Sequence, residues 1–254
     1  MSERAKAFTN FFAAMGTLEK YVELVPEAKE VAKKDNVTVR FKVTDGPDGI
    51  LVFQDGTVQA LEYDGRKADI VIACKTPEYF NQVVDGKVTP IPQLPGILKA
   101  LKFMGKPESP FNVLTKGMAD VLRRTEFKNE EEKKITTILS FYTMVAGVAQ
   151  VGNHDEIAQH AMKRMVDGEV SVGIRDVCYA TLIKKDGKLV AVKQKSERPR
   201  SFMTFGDIDT AYGLISGQVD AMTCISKGTL ETSGHMLMLD NVNKVLNRVP
   251  MYLK

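Results

Sequence analysis

The sequence predicts an α+β protein made of two copies of one module, on three observations. Asp55-Gly56 sits between apolar runs at 50–53 and 57–61, and Asp186-Gly187 sits between runs at 180–183 and 188–192 (186 − 55 = 131). Gly86-Lys-Val88 and Gly217-Gln-Val219 each close a short helical pattern at the same offset. Phe11-Phe12 with Gly16 is answered by Phe141-Tyr142 with Gly147. A period this long is a domain rather than a solenoid repeat.

Each element has a local reason. Phe8, Phe11, Phe12 and Met15 fall at helical spacing, and Gly16 is expected to break that helix, with Thr17 capping the next. Leu18, Tyr21, Val22 and Val25 stripe the second run, and Pro26 suits the first turn of a third, through Ala28, Val31 and Ala32. The period then changes to two. Val37, Val39, Phe41 and Val43 alternate with polar residues, which predicts a strand with one face in the core. A hairpin over 49–63 turns at Asp55-Gly56, a dipeptide that tolerates positive φ. Residues 69–73 are a fourth strand, and Thr76-Pro77-Glu78 opens a helix that stops at Gly86.

The second copy repeats the order. A long amphipathic helix spans 130–150, and Asp155 caps another. Strands follow at 170–174, 178–183, 188–192 and 202–204, and Asp207 caps a helix over 208–215. The wholly polar run 128–134 places the boundary, giving domains 1–127 and 128–254.

Composition excludes several classes. The 254 residues are 44% hydrophobic and 26% charged, as in a globular protein. Thirty-five basic and 32 acidic residues leave a net charge of +3, without the dense basic face that nucleic acid demands. No run of eighteen apolar residues predicts a membrane span, and the N-terminus lacks the apolar core of a signal peptide, so a cytoplasmic location is expected. Cys74, Cys178 and Cys224 read as free buried thiols.

The order and spacing together resemble the sterol carrier protein 2-like domain family. The residues carrying the likeness are Lys185-Asp-Gly-Lys188, the strand 202–204 with Gly206-Asp207, 214–220, and the run from Gly228 through Gly234 to Leu239. The first copy matches through Asp55-Gly56, 68–72 and 83–88, then departs where Pro90, Pro92 and Pro95 interrupt the expected last strand; 98–103 remains as a loose equivalent or a helix. The resemblance implies two tandem domains, each a five-stranded mixed sheet covered by helices. It also implies an apolar tunnel between sheet and helices for an acyl chain, a sterol or an isoprenoid.

Under that implication the expected lining of the second copy is Leu214, Met222, Met236, Met238, Leu239, Val242 and Val245. In the first copy it is Phe80, Val84, Leu98, Leu101 and Phe103. Methionine suits an adaptable lining because it is unbranched and polarizable. On pattern alone the same stripes read as ordinary core. The expected partner is a lipid or fatty-acid-like molecule, with a transient membrane surface and a homodimer left open.

No catalytic set, cofactor or metal site is expected. His154 and His160 are six apart and do not share a helical face, while Cys224 with His235 lacks an orienting third group. Asp207 and Asp209 read as a helix cap and a solvent-facing acid rather than a catalytic pair. The basic turn 196–200 could meet a lipid phosphate or stand simply exposed. A non-catalytic interaction module accessory to lipid-metabolic enzymes is the alternative to a lipid carrier.

Overall fold

The chain starts helical and stays so longer than Gly16 suggests. In the computed structural model, which describes residues 1–253, α1 (Glu3–Phe8) runs into a π-helical stretch Thr9–Ala14, a tight 3₁₀ turn Met15–Thr17 and α2 (Leu18–Leu24). The expected break at Gly16 does not occur. Widened and tightened turns adjoin there, and the Thr17 hydroxyl donates to the Ala13 carbonyl at 2.8 Å instead of capping. Val25 is extended, and Pro26 opens α3 (Pro26–Ala32).

The chain divides into two units, 1–123 and 124–252. In the first, β1 (Val37–Val43), β2 (Asp48–Gln54) and β3 (Thr57–Glu62) form an antiparallel meander. β4 (Ile70–Cys74) lies parallel to β1, so the order is β3-β2-β1-β4. α4 (Pro77–Val84) starts where the Thr76 hydroxyl accepts the Tyr79 amide at 3.1 Å. α5 (Ile97–Met104) and α6 (Pro110–Leu122) complete the unit.

This first sheet has four strands, which corrects the expected five. The segment after α4 makes a single bridge, Ile72 to Pro92. A proline has no amide hydrogen to extend a ladder, and three of them within six residues keep the segment from pairing. Residues 98–103 are helical, within α5.

The second unit opens with α7 (Glu130–His154), capped by Asn129, and α8 (Glu156–Arg164). β5 (Gly168–Ile174), β6 (Cys178–Lys185) and β7 (Lys188–Val192) form the meander. β8 (Ser201–Phe205) is parallel to β5 and is followed by α9 (Ile208–Ile215) and α10 (Ala221–Ser226). β9 (Leu230–Gly234) adds a fifth, antiparallel strand, for the order β7-β6-β5-β8-β9, and α11 (Met236–Leu246) closes the unit. α7 is long and apolar enough to cross a membrane by length and composition, but 72% of its most apolar window is buried in the fold.

The offset of 131 holds through the shared elements. Val37–Val43 matches Gly168–Ile174, Ile70–Cys74 matches Ser201–Phe205, and Pro77–Val84 matches Ile208–Ile215. The left-handed turn residues match as well: Asp55 and Asp186 have φ of 51° and 49°, and Gly86 and Gly217 have 70° and 76°. The same four strands lie in the same order in both sheets.

A buried ionic cluster ties the end of the second unit to the α7–α8 corner. Asp155 caps α8 by accepting the Ala158 amide at 2.7 Å. Its carboxylate also receives Arg248 Nε at 2.8 Å, Arg248 Nη2 at 2.7 Å, and the hydroxyl of fully buried Tyr252. A Cβ on Gly147 would come within 2.6 Å of Val249 Cγ1, so the glycine lets the closing 3₁₀ turn seat against α7. Burial alone would push the Asp155 carboxyl up; Arg248, Tyr252 and the Ala158 amide outweigh it and hold it down to about 2. A depressed carboxyl stabilises the fold above its unfolded pKa and loses that contribution as pH falls through its folded value. The lock should therefore weaken between about pH 4 and pH 2. Arg248→Ala should cost about 3 kcal/mol at neutral pH, read from urea unfolding, and should move the acid-unfolding midpoint upward.

Candidate functional site

The second unit holds an apolar groove between its sheet and its helices. α7 contributes Phe141, Met144, Val145 and Val148. The sheet contributes Val172 from β5, Leu182 from β6, and Met203 and Phe205 from β8. Leu214 and Ile215 of α9 and Val242 and Leu246 of α11 close the sides. The alternation of β5 and β8 puts these side chains under the helices, because a strand shows every second residue to one face. The lining exposes no polar surface. Met144, Leu214, Ile215 and Leu246 are only half-buried, so the groove reaches solvent between α7, α9 and α11.

The internal space is small. It measures about 40 Å³, whereas ligand pockets run to roughly 300 Å³ or more. The expected tunnel roomy enough for a hydrocarbon tail is not present in this conformation.

Of the residues expected to line a tunnel, Leu214 and Val242 line this groove. Met238, Leu239 and Val245 are buried on α11 but outside the lining. Met222 and Met236 are 74% and 63% exposed, on α10 and at the start of α11. In the first unit Phe80 and Phe103 are buried, whereas Val84, Leu98 and Leu101 face solvent. The five exposed residues do not line an interior. Apolar spacing marks a helix face without saying which way it turns, and these helices have apolar residues on more than one side. The α7 and sheet residues were missed. Their signal was the offset itself, because Val172 and Met203 stand 131 residues after the core positions Phe41 and Ile72.

The first unit fills the corresponding layer with aromatic rings. Phe41 of β1 lies 5.7 Å from Phe11, 5.9 Å from Phe80 and 6.4 Å from Phe111, between ring centroids. Phe53 meets Phe103 edge-to-face at 5.0 Å and Phe111 edge-to-face at 6.3 Å. Phe11 presses so close to β2 that a Cβ on Gly49 would sit 2.1 Å from its ring. At the matching positions the second unit has Val172 for Phe41 and Ala211 for Phe80.

A second recess lies on the opposite sheet face of the second unit. Thr181 and Ile183 alternate with Leu182, so they face away from the helices, and the strap 193–200 crosses over them. The recess is about 380 Å³ and mixed in polarity. The Ser196 hydroxyl donates to Glu169, and the Thr181 hydroxyl donates to the Gln194 carbonyl at 2.8 Å. Lys195 stands 4.5 Å over the Tyr179 ring. Arg198 and Arg200 are exposed, and Glu169 and Glu197 offset the two cations Lys195 and Arg198 in the recess.

The remaining polar candidates have structural partners. Asp207 caps α9 by accepting the Thr210 amide at 2.7 Å, and Asp209 pairs with Lys133. His235 Nδ1 accepts the Met238 amide at 3.3 Å, which caps α11. Burial pushes the Cys74 thiol up to about 11, far from a reactive thiolate at neutral pH. Among the described residues no three His, Cys, Asp or Glu side chains gather to hold a metal ion.

No protein-family model matches the chain. No curated protein matches it either. Three solved structures to which it is similar are sterol carrier protein 2 domains. The sterol carrier protein domain 2 of Helicoverpa armigera shares 16% identity at a TM-score of 0.35, over 49% of this chain and 94% of that one. A sterol carrier protein 2 like 2 from Aedes aegypti shares 17% identity at 0.30, over 42% of this chain and 97% of that one. A UbiJ-SCP2 ubiquinone synthesis protein shares 11% at 0.33, over 41% and 85%.

The aromatic layer has a measurable consequence. Phe80 is fully buried beside Phe41, so Phe80→Ala should cost about 4 kcal/mol in urea unfolding. Ala211→Gly, at the matching position of α9, should cost only about 1 kcal/mol, the helix-propensity difference between alanine and glycine, because no ring stands there.

Proposed function

We propose that the chain is a tandem pair of sterol carrier protein 2-like domains, and that the second takes up one hydrocarbon chain without catalysis. The observation that carries the reading is the wholly apolar groove between α7, α9, α11 and the sheet, open to solvent at its half-buried rim. The matched strand order and turn conformations of the two units support the tandem reading. An entering chain loses about 0.8 kcal/mol of unfavourable hydration per buried methylene. It has to part α9 and α11 from α7, because the resting space is too small. Met144 and Met203 give the lining two unbranched side chains that can repack around a guest. The phenyl rings of the first unit occupy the equivalent layer, so uptake is assigned to the second unit alone.

A second reading, a non-catalytic interaction module with two filled cores, is favoured by the 40 Å³ volume. One experiment separates them. The full chain is purified without detergent, extracted with organic solvent and examined by mass spectrometry, and a fluorescent fatty acid is titrated in parallel. Uptake predicts one apolar molecule per chain and micromolar binding. Val172→Phe places in the second unit the residue the first has at Phe41. It should weaken binding more than tenfold, at a stability cost of about 1–3 kcal/mol. An empty extract together with no micromolar binding would leave the filled-module reading standing.

A further inference from the structure

The first unit presents an apolar surface that its own fold does not use. Ile91, Leu94, Leu98 and Leu101 are 79%, 81%, 82% and 57% exposed. They project from the proline-rich segment and from α5, spaced three, four and three residues apart. On α5, Ala100 and Phe103 face the core, so Leu98 and Leu101 share the outward face. A surface helix ordinarily turns its leucines inward.

The segment that carries this face has only positive side chains of its own, and acids of neighbouring segments meet three of them. Residues 86–107 contain Lys87, Lys99, Lys102 and Lys106 and no Asp or Glu. That is +4 in one short segment of a chain whose net charge is only +3. Lys87, Lys99 and Lys102 lean on Asp85, Asp69 and Asp35 from neighbouring segments. Such exposed pairs are weak and exchange readily for other anions. These apolar side chains are each more than half exposed, whereas an amphipathic-helix partner would need a groove to lie in.

We propose that this face docks the protein on an anionic lipid bilayer, with the four apolar side chains entering the headgroup boundary and the lysines meeting lipid phosphates. Exposed Leu98 and Leu101 with Lys99 and Lys102 beside them on α5 have the composition of a helix that lies in a membrane interface. Lysines near an anionic leaflet add an attraction that salt screens. The surface lies in the first unit, so it stands or falls separately from hydrocarbon uptake in the second.

The test is co-sedimentation of the full chain with vesicles of phosphatidylcholine alone, and with vesicles containing one-third phosphatidylglycerol. Strong binding is expected only to the anionic vesicles, and it should weaken several-fold on raising salt from 50 to 300 mM. Leu98→Glu with Leu101→Glu should reduce binding more than tenfold. Lys99→Gln with Lys102→Gln should reduce it several-fold. All four changes are at exposed positions, and an unchanged thermal unfolding midpoint confirms that the fold is kept. The proposal is overturned if the unaltered chain stays in the supernatant, or if the glutamate variant pellets as well as the unaltered chain. It is overturned too if that variant turns a dimer into a monomer in the ultracentrifuge while vesicle binding persists, which would make the face a contact between copies. Loss of vesicle binding with fatty-acid titration intact, or the converse, distinguishes failure here from failure of the uptake reading.

Discussion

Everything in either unit depends on how the layer between sheet and helices is filled. A four-strand core in one register leaves the same space twice, and interiors tolerate few voids. The first unit fills it with rings: Phe41 on the strand, Phe80 on the helix after it, Phe11 on the helix before. The fit is tight enough to require Gly49 opposite Phe11, where any side chain would collide. The second unit has Val172 and Ala211 at the first two positions, and its apolar groove runs past Val172 among aliphatic side chains and the rings of Phe141 and Phe205. One backbone plan therefore supports a ring-filled layer in one place and an apolar groove in the other. The difference is side-chain volume at a few matched sites.

The outer edge of each sheet follows a parallel contrast. β8 is covered by β9, which pairs over five residues. β4 has one bridge, at Pro92, and then the chain turns into α5. Prolines at a sheet edge block further pairing, a common way of protecting an exposed edge strand. Here they also release the segment from the strand it would otherwise form. Freed of a ladder, residues 91–101 leave Ile91, Leu94, Leu98 and Leu101 exposed; the second unit buries Leu230, Met238 and Leu239 and exposes Met222, Ile225, Met236 and Leu237.

Much of this was legible in the sequence. Asp55-Gly56 and Asp186-Gly187 announced both hairpins, because only certain residues accept positive φ in a two-residue turn. The alternation through Val37 to Val43 gave both the strand and its inward face, and Thr76, Asp155 and Asp207 cap the helices they were expected to cap. The breaks were less legible. Gly16 weakens a helix by only about 1 kcal/mol, which packing of Phe11 and Leu18 easily exceeds, so the helix continues. The site was half legible. Leu214 and Val242 were found from their own helices, whereas Val172, Leu182 and Met203 read only as strand core. Outward-facing Leu98 and Met222 carry the same local signal as buried leucines and methionines. Which of them meets the core depends on strand pairings that lie far away in sequence.

The energetics of the groove limit what the proposed site can hold. Parting α9 and α11 from α7 exposes apolar surface, and about 200 Å² of it costs roughly 5 kcal/mol at about 25 cal/mol per Å². Each methylene that enters returns about 0.8 kcal/mol, so some six methylenes only restore the balance. Short acids and small aromatic solutes fall below that line, and net affinity begins with chains of roughly a dozen carbons. A groove without polar lining adds no discrimination among headgroups, which would stay at the half-buried rim formed by Met144, Leu214, Ile215 and Leu246. Selection in the proposed uptake would then rest on tail length and flexibility, and a rigid polycyclic ligand would have to force α9 and α11 further apart than a single flexible chain does.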